Sequence, residues 1–240
     1  MSYGKIIIEI TDLLASARTT ETRYHPLEKA GLVSPDTSAV LRYDFDEGTG
    51  KILNDTAKKK YAGTIYGNPQ WVNGKYGGGL DFDGTGDYVD CGNVAELNSA
   101  SKFTICVWLN QDNTGSDQRI IRKWVDDNND IMISSYINRF YFEVGNGTNS
   151  FGYWADYATT IGNGTWFHAA MVYDGTQADN ASKLKLYING VQRTLTFNLT
   201  IPATTADLST ASLSIAQNQG VCADFAGIMD EFKIFNRPLS

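Results

Sequence analysis

The strongest constraint on this chain is a turn pair. Asn189-Gly190 falls between the run Lys183-Leu-Lys-Leu-Tyr-Ile188, which alternates polar and apolar residues, and Val191. A two-residue hairpin needs left-handed backbone that Asn and Gly tolerate, so the pair marks two antiparallel strands. The pattern recurs. Phe140, Phe142 and Val144 alternate with Tyr141 and Glu143 and stop at Asn146-Gly147. Thr165-Trp-Phe-His-Ala-Ala-Met-Val-Tyr173 stops at Asp174-Gly175, and Phe103, Ile105, Val107 and Leu109 share one parity. Such runs return at roughly 8–15-residue spacing with no helical period between them, which predicts an all-β, two-sheet antiparallel sandwich of the jelly-roll kind. The Gly84 and Gly86 turn is expected to join two strands whose Phe82, Tyr88 and Val89 point inward, and Trp108 and Trp166 are expected in the core.

Composition supports a folded module and narrows its partners. With 42% hydrophobic and 20% charged residues the chain can bury a core. No apolar run approaches the roughly 18 residues of a bilayer span, so no membrane insertion is expected. A net charge of −7 argues against a nucleic-acid surface. Cys91, Cys106 and Cys222 lack zinc-site spacing; Cys106 reads as a core residue, and a Cys91–Cys222 pairing stays open.

Residues 1–37 differ in character and read as an arm before a domain of residues 38–240. The arm is too poor in apolar residues to build its own core. Its apolar side chains concentrate at Ile6, Ile7, Ile8, Leu13 and Leu14, which are expected to dock on another protein: a capsid or scaffold protein, or a second copy. Three isoleucines followed by charge do not form the apolar core of a signal peptide, so synthesis in the cytoplasm is expected. The five N-x-S/T sequons then read as turn residues.

Several segments carry a resemblance. Leu41-Arg-Tyr-Asp-Phe-Asp-Glu-Gly-Thr-Gly50, Gly79-Leu-Asp-Phe-Asp-Gly-Thr-Gly-Asp-Tyr-Val89 and Phe103-Thr-Ile-Cys-Val-Trp108 come first. Residues 163–170, 186–191 and 227–240 supply the remaining motifs in order. Together they resemble the laminin-G-like, concanavalin A-like lectin and glucanase jelly rolls across about residues 38–240, leaving the arm unmatched. The resemblance implies a binding fold and makes glycosidase activity a reading to weigh.

No catalytic constellation is expected. The glucanase relatives place carboxylates on one strand as E-x-D-x-E, which is absent here; Asp230-Glu231 are adjacent and belong on opposite faces of a strand. His25 and His168 are the only histidines. Three binding features remain. Asp126-Asp-Asn-Asn-Asp130 is the densest oxygen cluster, and Asp126, Asn128 and Asp130 would ligate calcium, the alternative being an ordinary hairpin loop. The pentraxin relatives imply a second ligand-site loop at Gln217-Asn-Gln-Gly220, here without carboxylates, which singles out Gln217 and Asn218. Acids Asp83, Asp87 and Asp230 form a second metal candidate. The aromatic run Phe151-Gly-Tyr-Trp-Ala-Asp-Tyr157 nominates Tyr153, Trp154 and Tyr157 as a platform for sugar rings.

The expected protein is therefore a non-enzymatic adhesion module. It docks by its arm onto a larger assembly, a virion being the leading candidate as capsid decoration or fibre accessory, and displays a jelly roll to surface glycans. The alternatives are a free or secreted lectin-like protein and, third, a glycoside hydrolase.

Overall fold

The computed structural model describes residues 38–112, 116–217 and 223–239. The chain divides into two units at Thr37/Ser38, and the second unit carries the fold described below. The arm residues Ile6, Ile7, Ile8, Leu13 and Leu14, together with Asn218 and Cys222, lie outside the described residues.

Two sheets make the sandwich. The eight-stranded sheet contains β1 (Ala39–Tyr43), β4 (Gln70–Asn73), β5 (Gly78–Asp83), β7 (Lys102–Gln111), β12 (Trp166–Asp174), β13 (Leu184–Ile188), β14 (Val191–Arg193) and β18 (Ala226–Phe235). It is ordered β14-β13-β12-β7-β18-β5-β4, with β1 pairing to the far half of β18. The ten-stranded sheet holds β2 (Ile52–Leu53), β3 (Gly63–Tyr66), β6 (Tyr88–Asp90), β8 (Gln118–Asp126), β9 (Asn129–Tyr136) and β10 (Arg139–Val144). Its remaining strands are β11 (Phe151–Trp154), β15 (Thr196–Phe197), β16 (Leu213–Ile215) and β17 (Ala223–Asp224). The order there is β15-β11-β10-β9-β8-β16-β6-β3-β2, with β17 parallel to the start of β8 and every other pairing antiparallel. Two single-turn helices, α1 (Tyr157–Thr160) and α2 (Asn180–Lys183), sit in connections.

The alternating residues meet between the sheets. Phe103, Ile105, Val107 and Leu109 are fully buried, as are Phe140 and Val144. Phe103 meets Phe142 edge-on at 6.0 Å across the interface, and Phe140 meets Phe167 at 6.2 Å. Each such side chain contributes about 1.5–3 kcal/mol by leaving water. The Asn189-Gly190 hairpin forms as its residues demand, with φ of 51° and 76°. The Asp174-Gly175 pair instead begins a longer excursion through α2, because Gly175 packs tightly beneath the Ala203 carbonyl.

Burial corrects three expectations. Trp108 and Trp166 are half-buried on the outer side of the eight-stranded sheet, because Val107, Leu109 and Phe167 take the inner parity. Trp108 there meets His168 at 5.3 Å and Lys75 at 4.8 Å. Cys106 is buried, yet in a small outer cluster with Ala39 and Phe235 rather than between the sheets. Tyr88 also faces outward, stacked on Tyr66 at 4.7 Å, while Phe82 and Val89 point in.

Candidate functional site

The solvent side of strands β8 to β11 is built by the residues that alternate with the core. In β10, Phe140, Phe142 and Val144 go inward, so Arg139, Tyr141 and Glu143 go outward. Antiparallel register sets Tyr141 beside Ser134 of β9 and Tyr153 of β11, and Glu143 beside Met132 and Phe151. In β8 a bulge between Arg119 and Ile121 lets Ile120 and Ile121 both reach the core and returns Arg122 to the outer face.

One end of this face is aromatic. The Arg139 guanidinium lies 4.5 Å from the Tyr153 ring centre and donates to Tyr141 Oη at 3.3 Å. The Tyr141 and Tyr153 rings are 5.4 Å apart, and Phe151 closes on Tyr141 at the same distance. Tyr136 pairs with Arg139 across the β9–β10 turn and is 46% exposed. Tyr136, Tyr141 and Tyr153 thus flank one exposed cation on the water side of a sheet, and Phe151 packs behind the last two.

The middle of the face is charged. Asp130 and Glu143 are diagonal neighbours on β9 and β10, and both are buried. Burial and the adjacent Asp130 charge push Glu143 up to about 8. Burial also raises Asp130, against the pull of Arg122, whose Nε donates to Asp130 Oδ2 at 3.3 Å. Arg122 further pairs with Asp127 at 3.4 Å and lies over the Trp124 ring, and Arg119 pairs with Asp117.

The residues nominated from sequence fare unevenly. Tyr153 stands on this face. Trp154 is 6% exposed and Tyr157 fully buried, so neither can stack a sugar. The reason lies at Gly152: a Cβ there would sit 2.8 Å from the Phe197 ring, so Gly152 takes the inner parity and carries Trp154 with it. Tyr157 caps the core from α1, its hydroxyl hydrogen-bonded to Gln111 Oε1. Gln217 is half-buried beside Tyr88, away from the aromatic end.

The acidic segment 126–130 is a turn. Asp126 Oδ1 accepts from Asn128 N at 2.9 Å and Asn129 Nδ2 at 3.0 Å, and these bonds hold its carboxyl below the usual range. Asp130 points to Arg122 and Glu143 instead, so Asp126, Asn128 and Asp130 do not converge as a calcium loop would. Asp83 accepts from Thr85 N at 2.8 Å, Asp87 from Asn68 N at 2.6 Å and Asp230 from Tyr76 N at 2.8 Å. Among the described residues no three His, Cys, Asp or Glu side chains group as a metal site. Glu231 adjoins Asp230 at a bulge with φ of 52° and pairs with Lys233 at 2.7 Å, so both acids are committed to the fold.

Arg139, Tyr136, Tyr141 and Glu143 were not singled out from sequence. The outward parity of Arg139, Tyr141 and Glu143 was readable, but their meeting with Tyr153 and Asp130 depends on strand register.

With this geometry in place, the family is defined. Residues 83–240 match the concanavalin A-like lectin/glucanases superfamily, and the chain belongs to it. Solved structures share the fold at low identity. A botulinum neurotoxin serotype D binding domain superposes with a TM-score of 0.64 at 16% identity, over 87% of this chain and 50% of that one. The serotype G binding domain gives 0.61 at 14%, over 84% and 48%. Domain 4 of AbnA, a GH43 extracellular arabinanase from Geobacillus stearothermophilus solved with arabinotriose, gives 0.58 at 20%, over 85% of this chain and 94% of that one. The chain spans about half the length of the neurotoxin domains it matches. No curated protein sequence matches it.

Proposed function

We propose that this chain is a non-enzymatic binding module that takes glycans on the open face of its ten-stranded sheet. The observation that carries the reading is the patch of exposed Tyr136 and half-buried Tyr141 and Tyr153 beside Arg139, with Phe151 packed on the last two. Tyrosines on the water side of a sheet offer flat apolar faces with hydroxyls at the rim, suited to sugar rings. A relative of the same fold solved with arabinotriose supports a carbohydrate ligand. The structural roles of Asp230 and Glu231 favour binding over hydrolysis.

The module works on a larger protein assembly, docked there by residues 1–37 with Ile6, Ile7, Ile8, Leu13 and Leu14. A virion surface is the leading candidate. The sequence of the arm supports this; a free lectin-like protein is the second reading, favoured by the arabinotriose-bound relative.

A glycan array probed with the full chain tests the binding face. The expected result is a defined set of bound glycans, weakened at least tenfold by Tyr141→Ala with Tyr153→Ala while the melting temperature holds. Absence of binding to any glycan, or full binding by the double variant, overturns the reading.

A further inference from the structure

We infer that the sugar recognised at this face is an acidic one, its carboxylate held by Arg139; the inference rests on the glycan-binding reading above. The arginines of the face differ in one respect. Arg119 is paired with Asp117, and Arg122 with Asp127 and Asp130. Arg139 makes no ion pair among the described residues. Its partners are the Tyr153 ring and the Tyr141 hydroxyl, and that hydroxyl takes one of the five guanidinium N–H donors.

That placement fits a carboxylate closely. The Tyr153 ring lies 4.5 Å from the guanidinium, and the N–H groups not given to Tyr141 are donors of the kind that bind a carboxylate with two parallel hydrogen bonds. An exposed cation–π contact is weak, so holding Arg139 there contributes little to folding. Tyr136 and Tyr141 supply hydroxyls beside it for the ring oxygens of the same sugar. The acid nearest on β10, Glu143, is held protonated by burial, which leaves no opposing charge at that position. The chain's net charge of −7 does not prevent this, because at physiological salt repulsion beyond about 8 Å is largely screened.

A backbone feature points to the same corner. Ile137, two residues before Arg139 at the hairpin tip, has φ of 55° and is 58% exposed. A β-branched residue rarely adopts this left-handed conformation, and strain of this kind collects where ligands are held. An apolar side chain at the rim of the cation would cover the apolar face of a bound sugar.

The test is an array of matched glycan pairs, one member ending in a sialic or uronic acid and the other in its neutral counterpart, probed with the full chain. The acidic member is expected to bind at least tenfold more tightly. Arg139→Gln should erase that preference, so that both members of a pair bind alike, and Arg139→Lys should restore part of it. Raising salt from about 50 to about 300 mM, which shortens the screening length, should weaken only the acidic arm. Equal binding of both members, or a preference that survives Arg139→Gln, overturns the acidic-sugar inference and leaves the glycan-binding reading standing. Absence of binding to every member overturns both.

Discussion

Replacing Glu143 with glutamine should make the protein less sensitive to alkaline pH. Glu143 is buried beside Asp130, and burial raises it from 4.5 to about 8. A raised folded-state value means that the native chain holds a proton the unfolded chain has released. The stability this contributes is complete below pH 4.5 and is lost as pH rises through 8, at up to about 1.4 kcal/mol per unit. Asp230, buried and also raised to about 8, acts in the same window, so the wild-type pH profile alone does not isolate Glu143. The difference between variant and wild type does. The introduced glutamine is neutral like the protonated acid, and Asp130 stays paired with Arg122. At about pH 5 the Glu143→Gln variant and wild type should therefore melt together. By about pH 8.5 the variant should be the more stable by at least about 1.4 kcal/mol, or about 3–6 °C in a domain of this size. Calorimetry at closely spaced pH values measures it. A difference that stays flat across that range would show that Glu143 ionises as freely in the fold as in water, and its raised value would be refuted.

Three further outcomes are expected of the same structure. Tyr157→Phe removes the buried hydroxyl bonded to Gln111 and should cost about 1–3 kcal/mol in chemical denaturation, with glycan affinity unchanged; lost affinity at full stability would return Tyr157 to the ligand site. Ile137→Gly suits the left-handed turn and should hold or raise the melting temperature although it deletes a large side chain. A fall worth more than about 1 kcal/mol, the scale of such strain, would mean Ile137 is packed rather than displayed. Serine at Ile6, Ile7 and Ile8 together should abolish incorporation into the native assembly without changing the β-type circular dichroism; assembly at wild-type occupancy would end the docking proposal.

How much was readable from residues alone differs from strand to strand. Strand β7 was plain, since Phe103, Ile105, Val107 and Leu109 give one parity a large apolar excess and only that side can be buried. The Asn189-Gly190 hairpin was equally plain, because local backbone preference decides it. Strand β11 was not. Phe151, Tyr153 and Trp154 put aromatic rings on both parities, so alternation says which residues oppose one another without saying which go inside. Phe197, arriving from β15 against Gly152, settled that choice, turning Trp154 into the core and Tyr153 to solvent.

By itself, then, the sequence determined the β-strand class, the parity of strands with one apolar side such as β7, and the Asn189-Gly190 turn, because these depend on residues within a few positions of each other. The binding face was a tertiary decision. Arg139 and Tyr141 meet Tyr153, and Asp130 meets Glu143, only through cross-strand register, which each strand acquires from its neighbours and from packing against the opposite sheet. The calcium-like loop shows the reverse case. Its oxygens are dense in sequence, but β9 turns Asp130 toward Arg122 while Asp126 stays in the turn, so neighbours along the chain are separated in space.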